Sequence, residues 1–257
     1  MKISVIMQVY LGDYPGARSN PQYKFVRAVS SFLLQKHPDK ELVIIADGCN
    51  DTKEIYERLF SSFESIKFIY LARDNTPRTY QVVDSKKHFR GLPREVGRSV
   101  AAGELITYAD ADDIMLPSHL SHLNAGWEHA SADKMWSYGT IATRPKSELA
   151  KPAGNDPVNL RLFGYPIDHE LYPCHLCPPG LMISAPWLLA HRPHVKARWR
   201  DSFDVLDGNG KKIAGQSEDA AFVDELYKES NGSKYDSGTY VICHGKGDKP
   251  GTGGWDI

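Results

Sequence analysis

The amino-acid sequence predicts an α/β fold with a single mixed, mostly parallel sheet flanked by helices. Apolar runs alternate with segments of helical periodicity along the first half of the chain, an order that implies right-handed crossovers and parallel strands. The run ELVIIA (41–46) is continuously apolar, as in a strand that is buried on both faces. Acidic residues directly follow two of the predicted strands, at the edge where open α/β sheets bind their ligands.

The predicted elements of the first half follow one another in a regular order. Each predicted strand is a short apolar run: 2–10, 41–46, 66–71 and 104–109. Each predicted helix carries apolar residues three or four positions apart: 21–36, 51–63 and 92–102. Pro38 and Asp39 break the first of these helices, and Gly103 ends the third.

The second half of the chain is less regular. Helices are predicted over 117–130, from about 186 and over 217–230, and strands over 134–143, 180–184 and 239–243. Residues 144–179 are rich in Pro, Gly and Asn and show few periodic signals, whereas DGNG (207–210) is a turn signal. We therefore predict one domain over 1–257, with a mobile glycine-rich tail.

The composition is that of an ordinary water-soluble protein. The 257 residues are 41% hydrophobic and 25% charged, with a net charge of −1, which gives no global attraction to nucleic acid or to anionic membranes. The first residues predict a strand rather than a signal peptide, and no apolar run approaches the roughly 18 residues of a membrane span. Four cysteines do not make a disulfide framework. We expect a cytoplasmic protein without a transmembrane anchor.

The acidic residues after the strands indicate a bound cation. Asp47 follows the second predicted strand, and Asp110, Asp112 and Asp113 follow the fourth. Taken by itself, Asp47 can be explained by an Asp-Gly turn. A turn that leads into a helix near Pro117 explains one of Asp110, Asp112 and Asp113. Three carboxylates this close together repel one another unless a cation lies between them. Because Mg²⁺ and Mn²⁺ share carboxylates with substrate phosphates, the sequence predicts a metal–diphosphate site.

Four segments, in order, resemble the family 2 glycosyltransferases, whose GT-A fold is Rossmann-like. They are SVIMQVY (4–10), ELVIIADGCND (41–51), PREVGRSVAAGELITYADADD (93–113) and QSEDAAFVDEL (216–226). The resemblance covers about 2–117 in register and resumes near 180–226. It implies an inverting, hexosyltransferase-like enzyme that moves a sugar from a nucleotide-diphospho-sugar, a UDP-sugar, to an acceptor hydroxyl.

The resemblance divides the chain by function and assigns the nucleotide site. Residues 1–117 would bind the nucleotide-sugar, 118–244 would bind the acceptor, and 245–257 would form the tail. Those in the nucleotide site are Asp47 (hydrogen-bonded to the base), Arg94, Asp110 (facing the ribose or the metal), Val9 and Tyr10.

The resemblance also implies a metal site. Asp112 of the Asp-x-Asp motif would bind the Mn²⁺ or Mg²⁺ that bridges the diphosphate, together with Asp110. Asp113 is a further acid beside them, and His244 is a candidate third ligand. The cation would neutralise the charge that develops on the leaving nucleoside diphosphate.

The remaining role that the resemblance assigns is catalytic. Asp219 would take the proton of the acceptor hydroxyl as general base, with Glu218 beside it. Without the resemblance, Asp219 would be interpreted as an acid at a helix N-terminus, where its negative charge interacts favourably with the helix dipole.

Three features depart from the family pattern and leave the nucleotide open, one of them the long loop LGDYPGARSNPQ (11–22) between the first strand and the first helix. Ala46 stands where the family often has an acid, and Glu95 where it often has Asn. A nucleotidyltransferase and a non-catalytic nucleotide-sugar-binding protein on the same fold are the alternatives. A nucleotidyltransferase would normally carry a tight, glycine-rich basic loop right after the first strand, and LGDYPGARSN (11–20) lacks that pattern.

The acceptor is a glycan or another hydroxyl compound, and two basic patches bear on its charge. RPHVKARWR (192–200) has Trp199 interleaved among its cations, and Lys86, Lys87 and Arg90 form the second patch. The first patch predicts either a solvated helix face or a site for an anionic acceptor, such as a phosphorylated lipid, an acidic polysaccharide or nucleic acid. Nucleic acid is disfavoured as a partner by the net charge.

A short cysteine motif gives a weak zinc signal. Cys174, His175 and Cys177 form C-H-x-C, and Cys243 with His244 could complete a tetrahedral set. Since the chain has no second C-x₂-C, we interpret these as buried or acceptor-loop residues.

Overall fold

The computed structural model describes most of the first half of the chain and separate parts of the second. The described residues are 1–12, 20–72, 79–82, 85–88, 91–112, 115, 117–131, 133–142, 160–162, 165–167, 171–172, 189–209, 211–216, 218–231 and 235–242.

The described elements alternate strands and helices through the first half, as predicted, except that β4 and β5 stand between β3 and α3. The helices are α1 (Pro21–Leu33), α2 (Asn50–Leu59), α3 (Gly91–Val100), α4 (His119–Glu128) and α5 (Glu218–Glu229). The strands are β1 (Ile3–Val9), β2 (Lys40–Asp47), β3 (Ile66–Leu71), β4 (Thr79–Val82), β5 (Ser85–His88), β6 (Leu105–Asp110), β7 (Trp136–Ala142), β8 (Leu160–Leu162), β9 (Tyr165–Ile167), β10 (Leu171–Tyr172), β11 (Leu189–His191), β12 (Ser202–Leu206), β13 (Lys212–Gln216) and β14 (Tyr235–Ile242).

The main sheet has eight strands in the order β10-β7-β11-β6-β1-β2-β3, with β14 also paired to β7. Strands β1, β2, β3 and β6 run parallel, as do β7 and β14. The short strand β11 is antiparallel to both β6 and β7, and β10 is antiparallel to β7. The predicted fold class, a mixed and mostly parallel sheet flanked by helices, is confirmed.

The core lies between the central strands and the helices that cover them. Every residue of β1 except Gln8 is buried, and α1 contributes Phe25, Val29 and Phe32, which are all 0% exposed. Helix α3 approaches β1 closely at Gly97, where an added Cβ would lie 2.5 Å from Cγ2 of Ile6. A side chain at this position would therefore push α3 away from the sheet.

The strand register brings the ends of three parallel strands to one edge of the sheet. Gln8 in β1 pairs with Asp110 of β6, and the next residue, Val9, pairs with Ala46 of β2. Asp47 and Asp110, the last residues of their strands, therefore flank the end of β1. This carboxyl edge is where such sheets bind ligands.

A second sheet is antiparallel and was not predicted from the sequence. Its order is β13-β12-β5-β4, so residues 85–88, which precede α3, pair with residues 202–205. The helix predicted from about 186 is wrong at its described part, because residues 189–191 form β11. Leu189 and Ala190 are each 1% exposed and pair with β7. The predicted strand 180–184 lies outside the described residues.

Candidate functional site

The carboxyl edge of the sheet carries three of the predicted acids. Asp47 ends β2 and is 1% exposed, while Asp110 ends β6 and Asp112 follows it in a turn, both half-buried. The residue after Asp47, Gly48, has φ 68°, a left-handed conformation that glycine adopts without strain. The Asp-Gly turn exists as the simple interpretation expected, but the burial of Asp47 is unlike that of a solvated turn residue.

Arg94 of α3 connects this edge to the start of α5. Its Nη2 lies 3.6 Å from Oδ1 of Asp110, and its Nη1 lies 3.5 Å from Oε1 of Glu218. The side chains of Arg94 and Glu218 are each 8% exposed, and that of Asp110 is 25% exposed. The structure thus brings together three residues that were predicted separately. The Arg94 guanidinium lies between the carboxylates of Asp110 and Glu218.

The Arg94 guanidinium rests on a buried aromatic cluster, which we call the aromatic platform (Tyr108, His191, Trp199 and Phe222). Its Cζ atom lies 4.4 Å from the centre of the Trp199 ring, within the range of a cation–π contact. Trp199 in turn stacks on Phe222, with ring centres 4.3 Å apart and an interplanar angle of 13°. The platform therefore supports Arg94 from the side of the core.

A chain of hydrogen bonds fixes the platform. Trp199 Nε1 donates to the Tyr108 hydroxyl at 2.7 Å, and this hydroxyl lies 2.8 Å from Nε2 of His191. His191 Nδ1 lies 2.7 Å from the carbonyl oxygen of Arg192. Because a carbonyl only accepts, Nδ1 carries the proton and Nε2 accepts from Tyr108. Burial lowers the pKa of His191 to about 3 and raises the pKa of Tyr108, so both are neutral at physiological pH.

Glu95, which stands where the family often has Asn, forms hydrogen bonds with Trp199 of the aromatic platform and with two neighbouring arginines. Its carboxylate accepts from the Trp199 main-chain N–H at 2.6 Å, from Arg98 Nη1 at 2.8 Å and from Arg198 Nη1 at 3.2 Å. Glu95 therefore fixes the residue on which its neighbour Arg94 stacks. The sequence analysis missed this role, although the Glu95–Arg98 spacing of three residues on a helix was a local signal.

The basic segment 192–200 is not a helix, so the prediction of a solvated helix face is wrong. Val195, Ala197 and Trp199 are buried while the residues between them are exposed. Glu229 of α5 accepts main-chain N–H groups of Lys196 and Ala197. The segment therefore packs against α5. Trp199 is only 4% exposed, so its ring is not available to stack on a ligand.

The other predicted site residues are placed as follows. Val9 is 1% exposed and lies in the core, and Tyr10 is half-buried against it. Asp219 is the second residue of α5, and its side chain is outside the described part. Outside the described residues altogether are Asp113, His244, the zinc-signal residues Cys174, His175, Cys177 and Cys243, and Arg90. Lys86 and Lys87 lie in β5, and only their backbone is described.

The described carboxylates at the sheet edge are of the chemical type that a hard divalent cation binds. Asp110 and Asp112 carry carboxylate oxygens there, and Mg²⁺ and Mn²⁺ prefer oxygen ligands. Among the described residues, no group of three or more His, Cys, Asp or Glu side chains is close enough to hold a metal ion. A site of two carboxylates is the kind that shares its cation with substrate phosphates.

Comparison with known proteins gives one sequence relative and a set of solved structures. An uncharacterized glycosyltransferase of Nostoc sp. is 27% identical over 124 residues, which are 48% of this chain and 32% of that protein. Staphylococcus aureus TarS, residues 1–349, in complex with UDP-GlcNAc, matches with a TM-score of 0.57 and 17% identity over 96% of this chain. The same protein in complex with UDP matches with a TM-score of 0.52 over 95% of this chain. No protein-family profile matches the chain.

These comparisons establish the fold and a glycosyltransferase-like sequence. The chain shares the fold of TarS, a structure solved with UDP-GlcNAc and with UDP bound. It spans about a third of the length of the Nostoc relative, and 60% of the TarS chain with UDP-GlcNAc. Within the described residues, no helix has the length and apolarity needed to cross a membrane.

Proposed function

We propose that the chain is an inverting glycosyltransferase that moves a sugar from a UDP-sugar to the hydroxyl of a glycan or another acceptor. The observation that carries the proposal is the contact of Arg94 with both Asp110 and Glu218. It joins the acids at the carboxyl edge to the start of the helix that bears Asp219. The family 2 resemblance, the Nostoc relative and the UDP-bound TarS structures support the same activity.

On the donor side, the residues of the carboxyl edge bind the nucleotide and its diphosphate. Asp47 accepts a hydrogen bond from the base, and its burial gives that bond specificity because a mismatched polar group there would stay unpaired. Asp110 and Asp112 hold Mn²⁺ or Mg²⁺, which when bound neutralises charge on the leaving diphosphate. The positive charge of Arg94 offsets part of the negative charge of Asp110 on the side that faces the protein.

On the acceptor side, Asp219 removes the proton of the attacking hydroxyl. Glu218 precedes it at the start of α5 and is held by Arg94. Because this ion pair is buried, it fixes the first turn of α5 and therefore the position from which Asp219 acts. His244 is a further ligand candidate for the cation, as the family resemblance implies.

The experiment that tests the proposal measures UDP release from a panel of UDP-sugars with and without Mn²⁺. We expect Asp219→Asn to lose turnover and to keep donor affinity, whereas Asp133→Asn, an exposed acid in a turn, should behave as the wild type. With pyrophosphate added, its consumption to form UTP and a sugar 1-phosphate in place of UDP release would identify a nucleotidyltransferase. Donor binding without any turnover would identify a non-catalytic binding protein.

A further inference from the structure

Helix α1 presents a polar stripe to the turn that follows β6. The stripe consists of Arg27 and Ser31 on the helix and Gln35 just after it, and these residues are 4%, 0% and 4% exposed. Residues four apart lie on the same side of a helix. Gln35 continues the line, since its Nε2 donates to the main-chain oxygen of Ser31 at 3.1 Å. Three neighbouring polar side chains are thus buried on one side of α1.

The first part of the stripe bonds the main chain of the acidic turn at two points, Asp112 and Met115. Arg27 Nη2 donates to the carbonyl oxygen of Asp112 at 3.2 Å. Ser31 Oγ accepts the main-chain N–H of Met115 at 3.1 Å and donates to the carbonyl oxygen of Ala28 at 2.7 Å. The bonds to Asp112 and Met115 join positions 85 and 84 residues apart in the sequence.

The end of the stripe bonds the same segment further along. Gln35 Nε2 lies 3.4 Å from the carbonyl oxygen of Met115, and its Oε1 accepts the N–H of Leu120 at 3.1 Å. The main-chain N–H of Lys36 donates to the carbonyl oxygen of Pro117 at 2.7 Å. Asp112, Met115, Pro117 and Leu120 are therefore each bonded to α1 or to the residues just after it.

Packing of α1 on the sheet does not require this stripe. The apolar side of the helix, with Phe25, Val29 and Phe32 at 0% exposed, already belongs to the core. The polar side bonds a segment that begins at a predicted metal ligand. Neighbouring carboxylates repel one another, so a turn that bears them resists the conformation in which they converge. Hydrogen bonds that hold the main chain of the turn offset this repulsion.

We propose that Arg27, Ser31 and Gln35 are positioning residues, which hold the turn after β6 so that Asp110 and Asp112 meet the cation and the diphosphate together. This inference rests on the proposed function, since it assigns a task within the same site. The three residues act through the main chain of the turn and do not themselves contact the ligand.

Two adjacent serines provide a matched test. Ser30 and Ser31 each donate to a carbonyl oxygen of α1, that of Val26 and that of Ala28 respectively, but only Ser31 also accepts from Met115. The affinity of the full-length protein for Mn²⁺ is measured by calorimetric titration at saturating UDP. Hydrogen exchange of the Met115 amide is measured on the metal-free protein.

We expect Ser31→Ala to weaken Mn²⁺ binding roughly tenfold, the usual scale for residues that orient metal ligands, and to speed exchange at Met115. Ser30→Ala should leave both unchanged. A purely structural role would lower the melting temperature of Ser31→Ala without changing its Mn²⁺ affinity below that temperature. This result, or equal affinity in both variants and the wild type, would overturn the inference and leave the proposed function standing.

Arg27→Lys is the second variant, and it decides the matter if Ser31→Ala does not fold. It keeps the positive charge but removes the guanidinium that reaches Asp112. We expect a similar loss of Mn²⁺ affinity, and wild-type affinity would overturn the inference. If the wild-type protein itself binds no Mn²⁺ in the presence of UDP, both the proposed function and the inference fail. The two failures are distinguishable, because only this one appears before any substitution is made.

Discussion

Arg94 is the residue at which the two sides of the site meet. The sequence singled out Arg94, Asp110 and Glu218 one by one, each from its place in a motif. It did not reveal their contact, because Arg94 and Glu218 are 124 residues apart and no local pattern encodes such a pairing. The support under Arg94 was missed for the same reason, since Trp199 reads as part of a basic surface segment until its burial is known.

Replacing Arg94 tests the link between the two sides. In Arg94→Gln the buried carboxylate of Glu218 loses the cation 3.5 Å away, and the start of α5 loses its anchor. We expect turnover to fall roughly a hundredfold, the scale of losing one preorganised electrostatic contact, as measured by UDP release. Arg58→Gln, on an exposed position of α2, is the control, and an Arg94→Gln enzyme with normal turnover would contradict the assignment.

His191 gives the protein a defined sensitivity to acid. Burial lowers its pKa to about 3 in the folded state, against an ordinary value near 6.5. As the pH falls below about 6.5 the unfolded chain takes up a proton that the folded protein excludes until about pH 3, so stability declines across this window.

The variant His191→Gln isolates this effect. Gln keeps an acceptor for Tyr108 but does not titrate, so we expect lower stability at pH 7.5 and a flatter decline between pH 6.5 and pH 4. Urea unfolding at stepped pH measures both. His129→Gln, an exposed histidine after α4, should keep the wild-type slope, and parallel curves for the wild type and His191→Gln would rule out the explanation.

At the scale of elements, strands of the main sheet were predictable where they read as apolar runs. Strand β2, inside the parallel sheet, was predicted within one residue at each end, and β3, at the edge of the sheet, was predicted with its observed bounds. Strands β4 and β5, TYQV and SKKH, carry no such signal. Strand β4 pairs with β5, and β5 pairs with β12, more than a hundred residues later. A single sequence does not encode that second pairing locally.

The opposite edge of the main sheet has its own charged connection, centred on Glu41 of β2. Its buried carboxylate accepts from Ser4 Oγ of β1 and from the N–H of Ala102 before β6, and it pairs with Lys67 of β3 at 2.9 Å. Burial raises the pKa of Glu41, but the bonds from Ser4, Ala102 and Lys67 outweigh it and lower the pKa to about 2. One side chain thus ties together four adjacent parts of the sheet.

Glu41→Gln should therefore cost stability in a pH-dependent way. Lys67 is 44% exposed, so the main loss is that of hydrogen bonds to a buried charged group, which typically costs about 2 kcal/mol. We expect this loss near neutral pH in urea unfolding. Because the folded pKa is depressed, the wild type loses this contribution as the pH falls from about 4.5 towards 2, and the gap between the two proteins should close. Glu57→Gln, on an exposed helical pair, should show no gap, and a gap that stays constant with pH would contradict the argument.

At the scale of the whole molecule, contacts cross the predicted division at residue 117. Arg94 pairs with Glu218 across it, and Gln35, before the division, accepts the N–H of Leu120 after it. The division into donor-binding and acceptor-binding halves stays a prediction. The contacts indicate that both parts order together around the carboxyl edge, so a ligand bound there should stabilise both.

Ligand binding provides the test of that coupling. A ligand at a hundred times its dissociation constant stabilises the folded state by about 2.7 kcal/mol, so UDP and Mn²⁺ together should raise the melting temperature and slow hydrogen exchange in α5 as well as in the turn after β6. Chelation of the metal, or Asp110→Asn, should remove the Mn²⁺-dependent part of both effects, while the exposed Asp39→Asn should keep them. Protection confined to residues before 117 would show that α5 is not coupled to the donor site, and would count against Arg94 as the link.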